Sequence, residues 1–189
     1  EWKIVFMRIA LFYYDEFAEF EIVLVGLIFH NKHEIISIAL ENRGYKSEEG
    51  QRFCVDQIIK DVDVDSIELL VIPGGEPSLL VGNQELKNFI EKLVSRNKKV
   101  AAICGGAELL AGMGFLKGKK CTGGTSGETP GTDGYQYFSE ALLSDEHVVV
   151  DDNFITAQGR AYVEFAVELA RQMGLVNSEE AYADGLRYF

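Results

Sequence analysis

At 189 residues the chain is close to the size of one domain and long enough to bury a sizeable core. Its 47% hydrophobic and 25% charged residues, with three prolines, suit a globular protein rather than a disordered or fibrous one. Eighteen Lys and Arg against 30 Asp and Glu leave a net charge of −12, which argues against nucleic acid and anionic membrane as partners.

Residues 8–13 read as a mostly buried strand that ends at Tyr14, Asp15 and Glu16. Residues 19–31 suit a helix, weakened by β-branched residues, and the isoleucine-rich stretch 34–40 suits a second strand. Between residues 42 and 65, turn signals at Arg43-Gly44 and Glu49-Gly50 punctuate pieces of a small hairpin. Residues 68–72 form a continuous apolar run, the mark of a strand covered on both faces, and Pro73-Gly74-Gly75 stops it.

The stretch 83–97 is amphipathic, with Leu86, Phe89, Ile90, Leu93 and Val94 at three- and four-residue steps. A strand at 99–103 and a helix at 105–113 follow, then a glycine-rich segment at 118–134 that reads as a loop over the site. Residues 147–150 and 153–157 resemble an antiparallel pair, and helices at 161–173 and 179–188 close the chain. This alternation predicts an α/β three-layer sandwich with a largely parallel sheet. The expected organisation is one domain over 1–189, with residues 1–7 disordered or an extra N-terminal segment.

The longest apolar run, residues 22–29, is far short of the ~20 residues a membrane-spanning helix needs. The N-terminal residues lack the basic, then apolar, pattern of a secretory signal. The three cysteines, Cys54, Cys104 and Cys121, have no disulfide or zinc spacing. A cytoplasmic protein without metal or cofactor is expected.

Ligands of open α/β sheets bind beyond the carboxyl ends of strands. Cys104 falls at such an end, followed by Gly105, Gly106 and a helix. A nucleophile on a tight strand-to-helix turn needs small neighbours, and the helix N-terminus favours thiolate over thiol. The competing reading is an inert core cysteine, which is how Cys54 and Cys121 are read.

The stretch Ala101 to Ala107 around Cys104, Ile72-Pro73-Gly74-Gly75 and the acidic loop after the first strand together resemble the ThiJ/PfpI family. That family lies in the class I glutamine-amidotransferase-like superfamily. The segment from Ile155 to Phe165 resembles its last core strand, glycine turn and helix, so the likeness runs from Arg8 to Gly174. The loop Phe17-Ala18-Glu19-Phe20-Glu21 resembles a bacterial subgroup.

The resemblance implies a flavodoxin-like sheet and a nucleophile-elbow Cys104. It implies Glu21 as the acidic partner of the sulfur, with Glu19 a rival at neighbouring spacing, and Gly75 and Gly105 as backbone oxyanion donors. Gly74 and Tyr14, with Glu19, are further pocket candidates. A homodimer acting on a small-molecule substrate is implied as well.

Hydrolytic relatives place a histidine directly after the cysteine or in the loop after the elbow helix. Here those places hold Gly105 and the stretch Cys121-Thr122-Gly123-Gly124. The expected function is therefore a cysteine-dependent enzyme acting on a small carbonyl, isocyanide or amide. A redox-sensing or stress-response protein with an oxidisable Cys104 is the alternative, and a binding domain with a vestigial site is a third.

Overall fold

A computed structural model describes residues 7–124 and 135–189. Residues 1–6 and 125–134 lie outside the described residues, and with them most of the expected N-terminal segment and much of the expected glycine-rich loop.

In chain order the strands are β1 (Arg8–Phe12), β2 (Glu34–Ala39), β3 (Tyr45–Lys46), β4 (Arg52–Phe53), β5 (Gln57–Ile58) and β6 (Ile67–Ile72). They continue as β7 (Lys99–Ile103), β8 (Lys120–Cys121), β9 (Leu142–Leu143), β10 (Val148–Asp151) and β11 (Phe154–Ala157). The helices are α1 (Val23–Phe29), α2 (Gln84–Ser95), α3 (Gly105–Gly112), α4 (Tyr162–Gln172) and α5 (Glu179–Tyr188).

A seven-stranded sheet runs β10-β11-β7-β6-β1-β2-β5. Every neighbouring pair is parallel except β10 with β11. Leu69 to Ile72 and Val100 to Ile103 are fully buried, as strands covered on both faces must be. The chain steps from β1 outward to β2, then returns to β6 on the other side of β1 and proceeds to β7 and β11. With right-handed crossovers, this reversal puts α1 and the pair α2 and α3 on opposite faces. Helix α4 packs against α1, and α5 packs on α4.

Local chemistry accounts for the element ends. Asn83 caps α2 by accepting from the Leu86 amide at 2.8 Å, and Ser178 caps α5 by accepting from Ala181 at 3.0 Å. The expected hairpin is β3 against β4. The expected late antiparallel pair is β10 against β11, with β11 running parallel to β7.

Three expectations need correction. The continuous helix over 19–31 is instead a 3₁₀ turn at Glu19–Glu21 followed by α1. Ile22, at φ −121° and ψ −4°, breaks the two apart. The hairpin region also gives β5 to the edge of the main sheet, two residues being enough to pair with β2. Within the glycine-rich segment, β8 pairs in parallel with β9. Among the described residues no helix is long and apolar enough to cross a membrane.

Candidate active site

The carboxyl ends of β1, β6, β7 and β11 meet at one edge of the sheet. At the end of β7 the backbone turns so sharply into α3 that Cys104 adopts φ 55° and ψ −126°, a conformation non-glycine residues rarely hold. Its amide donates to Ala157 O at 2.9 Å, and its carbonyl accepts from Ala107 N at 3.0 Å. The neighbours must be small. A Cβ on Gly105 would lie 2.6 Å from Gly75 O, and one on Gly106 2.5 Å from Ile72 O and 2.7 Å from Pro73 O.

The Pro73-Gly74-Gly75 turn after β6 closes over this bend. A Cβ on Gly74 would collide with Glu21 Oε2 and stand 2.6 Å from Cys104 Cβ. Gly75, at φ 111°, passes so close to the loop after β1 that a Cβ would meet Glu16 O and, at 2.8 Å, Phe17 Cα. Tyr14 locks the turn from below, its hydroxyl donating to Gly74 O at 2.5 Å with Pro73 O at 3.1 Å.

Glu21 is 1% exposed. The Gly74 amide donates to its Oε2 at 2.6 Å, and the carboxyl also hydrogen-bonds the Cys104 sulfur. Glu19, two residues earlier, faces the other way: Ser47 Oγ donates to its Oε2 at 2.8 Å and Gln51 Nε2 to its Oε1 at 2.5 Å. Residues two apart on a helical turn point to different sides, so the 3₁₀ turn at Glu19–Glu21 sends one carboxylate to the hairpin and the other under the β6 turn.

Burial pushes the Glu21 carboxyl up to about 7, against the pull of the Gly74 amide and the Cys104 hydrogen bond. The Cys104 thiol is pushed up as well, first by burial and then by the Glu21 charge, although the Gly105 amide hydrogen-bonds the sulfur and pulls the other way. The lowered thiol expected from the helix end is therefore overturned: lost hydration and an adjacent carboxylate outweigh the field of one short helix. The pair takes on its first negative charge near neutral pH and resists a second, so its two groups titrate as a unit.

A cleft of about 370 Å³ opens above the pair, lined by Ala18, Phe20, Glu21, Glu48, Gly75, Cys104, Gly159 and Arg160. Of the candidates read from the sequence, Cys104, Glu21 and Gly75 line it. Gly105 supplies its amide to the sulfur, and Gly74 supports Glu21 from behind. Tyr14 and Glu19 do not line it; Tyr14 borders a separate hollow with Tyr13, Arg43 and Tyr45.

Glu48, Gly159 and Arg160 were not singled out in the sequence. Gly159 lies close against both Glu21 and Cys104, since a Cβ there would lie 2.8 Å from Glu21 Oε1 and 3.0 Å from Cys104 Sγ. Its signal was the Gln158-Gly159-Arg160 turn within the segment from Ile155 to Phe165. Glu48 left no such signal, because it arrives from the β3–β4 hairpin.

None of the three histidines lines the cleft. His147 pairs with Glu164 at 3.1 Å, His30 bonds its own helix end, and His33 accepts from the Met7 amide. Cys121 is fully buried and Cys54 exposed. Among the described residues no three His, Cys, Asp or Glu side chains gather as a metal site would require.

Comparison with known proteins extends this picture over most of the chain. The sequence profile of the DJ-1/PfpI family matches residues 7–172. The deglycase TK1284 of Thermococcus kodakarensis is 29% identical over 154 residues, covering 80% of this chain and 90% of that protein. The deglycase PfpI of Pyrococcus furiosus is 29% identical over 160 residues, with coverage of 80% and 90%. A crystal structure of a DJ-1 superfamily protein from Agrobacterium tumefaciens superposes with a TM-score of 0.78 at 27% identity, covering 96% of this chain and 97% of that one. Drosophila melanogaster DJ-1beta shares the fold at a TM-score of 0.81 and 18% identity, over 97% of each chain.

Proposed function

The chain belongs to the DJ-1/PfpI family, and from that premise we propose that it is a cysteine-dependent enzyme acting on small electrophilic carbon, with reactive carbonyl compounds as its substrates. The observation that carries this reading is the Cys104 sulfur set beside the buried Glu21 carboxyl at the floor of a small cleft. That two similar proteins bear the name deglycase supports a carbonyl-directed chemistry.

The pair is equipped for addition without outside help. Ionised Glu21 takes the thiol proton as the Cys104 sulfur forms the bond to carbon, the carbonyl electron pair moves onto oxygen, and that oxygen takes the proton back from Glu21. Glu21 is then a carboxylate, ready to accept a proton from the substrate carbon or from water. The amide of Gly75 is the nearby backbone donor for the developing oxyanion. Such a donor is worth ~3 kcal/mol when preorganised.

Peptide cleavage is a poorer match. An amine leaving group must be protonated as it departs, a service worth ~10²- to 10⁴-fold and usually given by histidine. The cleft lining contains none. Casein and dye-labelled peptides are expected to remain uncut.

The test is turnover of a panel of dicarbonyls, isocyanides and amides by the wild-type protein and by Cys104→Ser. Loss of dicarbonyl turnover by about 10³-fold or more in Cys104→Ser is the expected result. Peroxide oxidation of Cys104 with no turnover of any panel member would replace this reading with that of a redox sensor.

A further inference from the structure

We propose that Arg160 is a substrate-binding residue that gives the cleft a preference for carbonyl compounds bearing a single carboxylate, such as 2-oxo acids and aldehyde acids. The inference rests on the function proposed above and names its substrate class.

The first support is position. Arg160 directly follows Gly159, the residue whose backbone presses against both the Cys104 sulfur and Glu21, and its side chain lines the same cleft. Among the described residues it is the sole cation in that lining, the other ionisable members being Glu21, Glu48 and Cys104.

The second is its attachment. The Arg160 Nε donates to Gln158 Oε1 at 2.9 Å. Gln158 is 1% exposed, and its Nε2 donates to Asp145 O at 3.1 Å and Glu146 O at 3.2 Å. A buried amide, pinned at its other end to two backbone carbonyls, thus fixes the root of an exposed guanidinium. That spends little of the head's own donor capacity.

The third is what the head lacks. The chain carries 30 acidic residues, and five of its seven arginines, Arg8, Arg43, Arg96, Arg171 and Arg187, pair with a carboxylate; among the described residues Arg52 does not, but it lies outside the cleft lining. Among the described residues Arg160 has no carboxylate partner; its one hydrogen bond is to Gln158. A planar guanidinium in the lining of this cleft, with its terminal N–H groups uncommitted, matches a carboxylate in a two-pronged hydrogen bond.

Glu48 limits the class. It comes from the hairpin side of the same cleft, and burial together with Glu49 and Glu16 already makes its ionisation harder. A second negative charge on the substrate would meet this carboxylate with no cation to offset it. Monoanions are therefore favoured over dianions.

One experiment needs no turnover. Cys104 is alkylated with iodoacetate, which carries a carboxylate, and with neutral iodoacetamide, in wild type, Arg160→Gln and Arg160→Lys, read by peptide mass spectrometry with exposed Cys54 as internal reference. The ratio of iodoacetate to iodoacetamide rates at Cys104 should fall about tenfold in Arg160→Gln and less in Arg160→Lys, while the ratio at Cys54 stays constant. A Cys104 ratio unchanged in Arg160→Gln overturns the proposal.

The second arm compares turnover of glyoxylate with that of methylglyoxal. If dicarbonyls are turned over but neither ratio responds to Arg160, this inference fails and the proposed function survives. If the alkylation ratio responds and no carbonyl is turned over, the anion subsite stands and the enzymatic reading falls.

Discussion

Helix α3 is bounded by glycines at both ends, and the two ends use them in opposite ways. At its carboxyl end Gly114 adopts φ 88° with open space around its Cα. Its amide donates to Ala111 O at 2.9 Å and that of Phe115 to Leu110 O at 3.0 Å. This is a Schellman stop, in which glycine supplies a conformation. At the amino end the left-handed conformation falls on Cys104 instead, while Gly105 and Gly106 have ordinary φ values and supply room. A side chain is kept where glycine would fit best, at a cost of ~1–3 kcal/mol. The surroundings make room for it with glycines at positions 74, 105, 106 and 159. One end of the helix is built for stability and the other to aim a sulfur.

Alanine at each end puts numbers on this contrast. Gly106→Ala should lose roughly 3–4 kcal/mol in denaturant unfolding, because its Cβ meets two backbone carbonyls that cannot swing aside as a side chain could. Gly114→Ala should lose only about 1 kcal/mol, the penalty for a left-handed alanine in empty space. Equal losses at both positions would erase the distinction between room and conformation.

The amino end was legible in sequence because its signals are local. An apolar strand, a cysteine, two glycines and an apolar helix follow one another without interruption. The main strands and helices α2, α4 and α5 were legible for the same reason, since hydrophobic period and caps are read over a few residues. What escaped depends on pairings at long range or on single dihedrals. Nothing in residues 19–31 announces that Ile22 leaves the helix. Glu48 and Arg160 come to the cleft from a hairpin and from the turn after β11. The direction of the thiol shift was misread because the helix end is visible in sequence, whereas burial and the neighbouring carboxylate are not.

A second contrast at the same end sets Glu21 against Glu19. The fold raises the Glu21 carboxyl from 4.5 to about 7, so it favours the protonated form. That contribution to stability is fully present below the unfolded value near 4.5 and is lost as pH rises through 7. At 1.36 kcal/mol per pH unit the loss approaches roughly 3 kcal/mol. Glu21→Gln, which keeps an oxygen for the Gly74 amide, should therefore match wild type near pH 4 and become more stable than it by roughly 2–3 kcal/mol at pH 8.5. Glu19→Gln should retain the wild-type transition around pH 7, because its carboxylate is bound to Ser47 and Gln51 and not to the sulfur. A flat difference between Glu21→Gln and wild type across this range would remove the buried proton on which the proposed chemistry depends.

The smallest effect is expected one layer further from the sulfur, at Tyr14. The side chain is 4% exposed, and burial, followed by the Glu21 charge, pushes its phenol up, so the hydroxyl remains a donor throughout the working pH range. Tyr14→Phe preserves the packed ring and removes only that donor. Gly74 O still accepts from the Ala18 amide at 2.9 Å, so no buried carbonyl is stripped of its last partner there, and the loss should be about 1 kcal/mol. A packing role alone would end at that figure. The Gly74 residue whose carbonyl Tyr14 holds also presents the amide that steadies ionised Glu21. Loosening one side of it should weaken the other and move the Glu21 midpoint upward from about 7 by less than one pH unit. The pH dependence of Cys104 alkylation reads that midpoint. An upward shift makes Tyr14 a positioning residue for the pair, whereas an unchanged midpoint with the same loss of stability would confine it to the scaffold.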